Sequence, residues 1–357
     1  MANALVWLRR DLRLTDNTAL QAALNAGYSP ILVYIHAPEE EKPWQPGAAS
    51  LAWLHYSLQS LKKSIEEKGG RLLVRSGKSL EQLEKLLDET GSEAVFWNRL
   101  YEPATIARDI KVKESLKQRG IHAESCNGAL LVEPWTIRTL SGDPYRVFTP
   151  FWKNAVQTID SVQPTPAPKK FPPVPEKIKS DSIKSLNLLP KIKWDKSFWE
   201  FWQPGEVGAA ELLEAFIDGA ALGYKEQRNF PDRIGSSKLS PHLHFGEISP
   251  RQILKAIRNH PWPAKAEADV THFISELGWR EFSHHLLFHY PHTSNQNLVA
   301  KFDTFKWAKP DPKLLAAWQQ GRTGVPIIDA GMRELWETGW MHNRVRMIVA
   351  SFLCKNM

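Results

Sequence analysis

Two domains of different class are predicted for this 357-residue chain: a doubly wound α/β domain with a parallel sheet, then an all-α domain. Three observations predict them. Short apolar runs alternate with amphipathic helical stretches through the first third of the chain; a proline-rich stretch interrupts it; and from about Gly208 the strand signals fade and helical patterns follow one another. The expected bounds are 1–135 for the α/β domain, 136–207 for an interdomain linker, and 208–357 for the helical domain.

Within the first domain, Ala4 to Trp7 reads as a buried strand, followed by a charged loop and a helix from Asp16 to Asn25 with Asp16 placed to cap it. Ile31 to Ile35, Arg71 to Val74 and Ala94 to Trp97 read as further strands. Ala48 to Glu67, Leu80 to Glu89 and Ala104 to Arg119 read as the helices between and after them. A ligand of such a sheet sits outside the carboxyl ends of its strands, here near Trp7 to Arg13, His36 to Pro38 and Trp97 to Glu102. No GxGxxG or Walker sequence follows the first strand, which argues against a standard dinucleotide or P-loop site.

Residues 161–180 hold Pro164, Pro166, Pro168, Pro172, Pro173 and Pro175 among lysines, a composition for an extended surface connection. Beyond it, Ala209 to Leu222, Pro250 to Asn259, Ala266 to Tyr290, Pro312 to Gln319 and Ile328 onward read as helices, with Ser249 and Pro250 forming a cap and first turn. The final pattern, from Arg344 to Met357, still offers Val349, Phe352 and Leu353 as an apolar face with no Gly or Pro to end it, so a chain cut within a helix is expected.

The apolar fraction of 42% and charged fraction of 24% are those of a folded globular protein. Cys126 and Cys354 stand far apart, which argues against a disulfide framework or structural zinc and fits a reducing cytoplasm. The N-terminal apolar stretch is too short for a signal peptide or a membrane span. Forty-six Lys and Arg against thirty-nine Asp and Glu give a net charge of +7, consistent with a polyanionic partner. Ten of the fifteen Trp follow residue 150, where large rings either fill a core or stack on flat ligands.

Three segments can carry chemistry. Gly235 to Ser240, GSSKLS, is either an ordinary polar turn or a cradle in which backbone N–H groups, the hydroxyls of Ser236, Ser237 and Ser240, and Lys238 hold a pyrophosphate. Glu276, Trp279 and Arg280, at i, i+3 and i+4, share a helix face that either receives a nucleobase or simply pairs a Glu with an Arg beside a core Trp. Trp340 to Met347 brings Asn343 and Met347 to one face, with Arg344 and Arg346 elsewhere; a basic amphipathic helix is the plainer reading. His242, His244, His284, His285 and His289 lack an HExxH pattern or a Cys or acidic third ligand, so no metal is expected. No nucleophile elbow is present either.

Together these motifs resemble the photolyase and cryptochrome family over essentially the whole chain. VWLRRDLRLTDN at 6–17, YRVFTPFWKN at 145–154, GYKEQRNFP at 223–231, GSSKLSPHLHFGEISPRQ at 235–252, ELGWREF at 276–282 and TGWMHNRVRMIVASF at 338–352 occur in family order and spacing. The resemblance implies a first domain that holds a light-harvesting antenna and a helical domain that holds FAD beneath a basic DNA-facing surface. It assigns Tyr224, Ser236, Ser237, Lys238, Leu239, Ser240 and Phe273 to FAD. Arg228, Glu276, Trp279, Arg280, Asn343 and Arg344, within a segment running to Ser283, fall to DNA and the lesion, and Trp307 to the exposed end of an electron-transfer chain of tryptophans.

Trp279 beside Glu276, and Asn343 with Met347, are similar to the cyclobutane-dimer branch, and a class I photolyase is expected. The implied chemistry is light-driven electron donation from reduced FAD to a flipped-out pyrimidine dimer in UV-damaged DNA. Glu276, Asn343, Trp279 and Met347 would act on the dimer, and Arg228, Arg280 and Arg344 on phosphates. The implied protein is a cytoplasmic monomer with no membrane association. In folate-binding members an Asn–Glu pair follows the segment matching Tyr101 to Pro103; here Ala104 and Thr105 stand there, leaving methenyltetrahydrofolate, a deazaflavin or no antenna open. A cryptochrome-like photoreceptor and a non-catalytic DNA-binding fragment are the alternatives.

Overall fold

The computed structural model describes residues 1–159, 163–309 and 311–357; Ser161 and Val162, where the proline-rich linker was expected to begin, lie outside the described residues. Five parallel strands form one sheet: β1 (Asn3–Leu8), β2 (Ser29–His36), β3 (Leu73–Ser76), β4 (Ser92–Asn98) and β5 (His122–Cys126), in the order β3-β2-β1-β4-β5. This is the strand order of a doubly wound sheet, with β1 at its centre paired to β2 and β4. Alternate residues of β1 enter two different cores. Ala4, Val6 and Leu8 pack on one face with α1 (Thr18–Asn25) and α2 (Ala48–Glu66), and Leu5 and Trp7 pack on the other with α3 (Ser79–Thr90) and α4 (Pro103–Gln118).

Two details differ from expectation. Strand β5, HAESC, carries too little apolar character to announce itself; it is an edge strand paired only through β4. The cap of α1 is Asn17, whose side chain accepts from the Leu20 backbone N–H at 3.1 Å, while Asp16 takes a left-handed φ of 54° and turns its carboxylate toward the second domain.

The described part of the proline-rich stretch has no regular elements between residues 163 and 177, yet it is more than a surface connection. Phe171 enters one core and Ile178 the other, and the Val74 backbone donates its N–H to the Ser180 hydroxyl at 2.9 Å and accepts from the Asp181 N–H at 2.8 Å. Part of the 136–207 segment belongs to the helical half: Phe151 and Ala155 of α5 (Phe148–Ala155) are buried in its core.

The helical half continues with α6 (Phe198–Phe201), α7 (Glu206–Ala215), α8 (Tyr224–Gln227), α9 (Ser240–Phe245), α10 (Pro250–Asn259), α11 (Glu267–His289), α12 (Pro312–Gln319), α13 (Pro326–Thr338) and α14 (Asn343–Asn356). The Ser249/Gln252 capping box starts α10 where the sequence placed it. Gly339, with φ of 73°, separates α13 from α14. No helix among the described residues is long and apolar enough to cross a membrane.

The halves meet at the loop after β1. Asp16 accepts from Arg251 Nε at 2.8 Å and from the Ser249 hydroxyl, and Arg13 donates to the Gly246 carbonyl at 2.9 Å. The Glu206 carboxylate, at the first turn of α7, accepts from the backbone N–H groups of Leu14 and Thr15 at 2.8 and 3.0 Å. Gly246 seals the contact: a Cβ there would lie 2.1 Å from the Arg10 carbonyl oxygen, and its φ of 66° is left-handed.

Gly246→Ala should therefore lower stability by more than the ~1 kcal/mol typical of a left-handed glycine alone. Gly142→Ala is the control, since Gly142 has φ of 84° but nothing near its would-be Cβ. Chemical denaturation compares the two, and equal losses would mean that the Arg10 contact relaxes without cost.

Candidate cofactor pocket and its rim

A cavity of about 370 Å³ lies at the seam of the two halves. Arg10, Leu100, Tyr101 and Glu102 line it from the β1 and β4 ends, which places it where a doubly wound sheet presents ligands. Tyr224, Ser237, Leu239, Ser240, Leu243, His244 and Ile253 line it from α8 through α10, and Phe273, Glu276, Leu277, Arg280 and His284 from α11.

Helical spacing explains that last set. Positions 276, 280 and 284 recur every fourth residue, while Trp279 lies ~100° around the helix from Arg280. The expected shared face therefore divides. Glu276 and Arg280 face the cavity, whereas Trp279 stands 47% exposed, stacked on Phe148 at 3.8 Å with 10° between rings. Phe148 stacks in turn on Trp152, and Trp152 presses on Gly278, where a Cβ would lie 2.6 Å from its indole ring. The outward tryptophan is thus held by a ladder of rings anchored on its own helix.

The charged residues are engaged locally. Arg10 is paired with both Glu41 and Glu102. Arg280 donates to the Ala129 carbonyl at 2.6 Å, and burial pushes its guanidinium below the ordinary arginine range. Arg280 accordingly lines the cavity. Arg228 is nearly buried: it pairs with Glu276, meets His272 Nε2 at 3.0 Å, and lies over the Tyr224 ring at 5.3 Å. It stands behind the cavity lining, in contact with two of its members, Glu276 and Tyr224. Burial raises the Tyr224 hydroxyl to about 12.

Of the GSSKLS segment, Ser237, Leu239 and Ser240 line the cavity and Ser236 does not. Lys238 takes a left-handed φ of 53° and sends its ammonium over the Trp340 ring at 5.0 Å. Asn343, Arg344 and Met347 stand at the start of α14, outside the cavity lining. Arg344 donates to Asn229 Oδ1 at 2.6 and 2.9 Å, which ties α14 to the residue after Arg228. Asn343 is exposed and Met347 58% exposed. Trp307, 68% exposed, contacts the Phe305 ring at 4.8 Å and is absent from the cavity lining.

Arg10, Tyr101 and Glu102 line the cavity from the two strand-end segments, Trp7 to Arg13 and Trp97 to Glu102, where the sequence placed a ligand, whereas His244 and His284 were singled out only in weighing a metal site. The four-residue recurrence from Glu276 would have revealed His284; His244 depends on how the halves dock. A second cavity, of about 600 Å³, contains Ala104 and Thr105 beside Trp44 and Leu287. Its two acidic wall residues, Glu41 and Glu102, are the partners of Arg10. No group of three or more metal-ligating side chains occurs among the described residues.

A flat, partly anionic cofactor such as FAD fits the first cavity. Tyr224 and Phe273, packed edge to face on each other at 5.2 Å, supply aromatic lining, and Ser237, Ser240 and Arg280 supply donors.

Burial holds His244 and His284 neutral, each down to about 4, with Arg10 beside the first and Arg280 beside the second adding to the effect. An unfolded chain protonates these rings near their ordinary value, so the native state loses relative stability as pH falls from about 6.5 toward about 4. The paired variant H244Q/H284Q should show a flatter fall of Tm over that window. An unchanged slope would contradict neutral burial.

Comparison with known proteins places this geometry. Residues 4–170 match the DNA photolyase family, and residues 273–357 match the FAD binding domain of DNA photolyase. A deoxyribodipyrimidine photo-lyase of Agrobacterium fabrum is 45% identical over 100% of this chain and 74% of its own length. Cryptochrome-2 of Arabidopsis thaliana is 39% identical over 98% of this chain and 59% of its own length. The crystal structure of a bacterial class III photolyase from Agrobacterium tumefaciens superposes with a TM-score of 0.94 at 45% identity, covering 99% of this chain and 73% of that one. With such similarity along its whole length, the chain belongs to the photolyase and cryptochrome family.

Proposed function

We propose that the protein repairs cyclobutane pyrimidine dimers in DNA, using light absorbed by FAD in the seam cavity. The observation that carries this reading is the position of Glu276. It lines the cavity, reaches solvent, and is paired with Arg228, whose neighbour Asn229 holds Arg344 of α14. Asn343 precedes Arg344 in the first turn of that helix, and Trp279 stands on α11 three residues after Glu276.

When bound, reduced FAD supplies the photoexcited electron that opens the dimer and receives it back. The chain's own residues position the lesion. A Glu276 carboxylate paired with Arg228 is an acceptor, so it takes a pyrimidine N–H, while the Asn343 amide is the group able to donate to a dimer carbonyl. Trp279, held flat by Phe148, offers a stacking face to the extruded bases. Extrusion costs on the order of a few kcal/mol and least at a lesion, which favours damaged over intact duplex. The basic balance of +7 supplies the phosphate attraction.

The 45% identity to a class III photolyase supports that group over the class I group expected from sequence. Similarity to a plant cryptochrome supports a second reading, a photoreceptor that uses the flavin for signalling.

A thymine-dimer oligonucleotide incubated with photoreduced protein separates the two: light-dependent, dark-silent repair is expected, and bound flavin without repair would favour the photoreceptor. Glu276→Gln should weaken dimer binding about tenfold or more, the scale of a hydrogen bond to a charged group. Phe148→Ala should leave flavin content intact and weaken dimer binding by roughly 0.5–1.5 kcal/mol through loss of ring stacking on Trp279. Unaltered affinity in both variants would remove this rim from the lesion site.

A further inference from the structure

His272 lies one helical turn before Glu276 on α11. Its Nε2 is 3.0 Å from Arg228 Nη1 and 3.8 Å from Glu276 Oε1, so one ring nitrogen faces both members of the ion pair at the cavity mouth. A guanidinium only donates. Nε2 must therefore carry the lone pair, and the ring must be the neutral tautomer protonated on Nδ1.

We propose that His272 is a positioning residue: by accepting from Arg228 it fixes the Arg228–Glu276 pair so that the Glu276 carboxylate stays aimed at the ligand side of the cavity mouth. Arg228 is then held at three points, by Glu276, by His272 and by the Tyr224 ring beneath it. The charges around the ring oppose a proton on it. Arg228 and Lys225 face it from α8 and its C-terminal turn, Arg344 from α14, and Glu276 alone favours the charged form from its own helix. Burial, then these cations, hold the imidazole below its ordinary range. The Tyr224 ring, 6.1 Å away, completes the surroundings.

Protonation would invert the arrangement. An Nε2–H cannot accept from Arg228, is repelled by it, and turns to the Glu276 oxygen, where it competes with the dimer for that acceptor. On the repair reading, from which the identity of the ligand comes, dimer binding is therefore full above the titration of His272 and falls as pH drops through it.

The test uses the intact protein in darkness, with fluorescence anisotropy of dimer-containing and undamaged oligonucleotides from about pH 8 to about pH 5, and ¹⁵N spectra of the histidine rings without DNA. His272→Gln keeps an acceptor but cannot titrate. It should bind the dimer within about threefold of the native protein at high pH and lose the acid-side fall. His272→Leu, which can neither accept nor titrate, should bind roughly fivefold or more weakly throughout, as expected for a lost charge-assisted hydrogen bond. The ring spectrum that disappears in His272→Gln should show an unprotonated Nε2.

A protonated Nε2, a His272→Leu protein that binds like the native one, or a His272→Gln protein with the native acid-side fall would each overturn the proposal. A native protein that binds both oligonucleotides alike would overturn the repair reading instead, and the ring spectrum, which needs no DNA, would still decide for or against the His272–Arg228 bond.

Discussion

Asp16 is bonded to Arg251 and Ser249 across the boundary between an α/β half and a helical half, and the rest of the molecule's chemistry depends on that junction. The contact is nearly dry, so the ionic partners have lost their water and are retained only because each is matched. Arg13, Glu206 and Gly246 add backbone hydrogen bonds and a close approach that a side chain would prevent. Glu281 repeats the device from α11, accepting from the Leu131 and Val132 backbone N–H groups at 2.8 and 3.1 Å. Removing one member of such a buried set costs ~3–5 kcal/mol, far more than the set contributes over an apolar equivalent. Its value is geometric: it fixes the angle at which Arg10 and Tyr101 meet α11, and so creates the cavity.

The presence of β1 to β4 follows from local pattern because strands of a parallel sheet covered on both faces read as unbroken apolar runs. Strand β5 escapes that rule because an edge strand needs pairing on one side only, and HAESC satisfies it with alternating polar residues. The helix caps were legible where one side chain decides them, as at Ser249. They were not where two acceptors adjoin. Asp16 and Asn17 both suit a cap, and only the second domain, which takes the Asp16 carboxylate for Arg251, decides between them.

The candidate site was legible in part for the same reason. Tyr224, Ser237, Ser240, Phe273, Glu276 and Arg280, each singled out in the sequence, line one cavity, since they sit on elements whose internal geometry the sequence specifies. The fate of the cations was not legible. Arg228, Arg280 and Lys238 each turned inward to a carboxylate, a carbonyl or an indole, because partners distant in sequence reached them first. Arg10 and Tyr101 lie at strand ends where the sheet topology placed a ligand, whereas His244 belongs to a short helix that faces nothing in particular until the halves dock.

A cavity made by docking should hold its ligand with both halves, and the most direct test is a crystal structure of the protein with FAD bound. The account predicts cofactor density at the seam, against Tyr224, Phe273, Ser237 and Ser240 and within reach of Arg280. Density elsewhere, or a protein that takes up no flavin at saturating FAD, would contradict it.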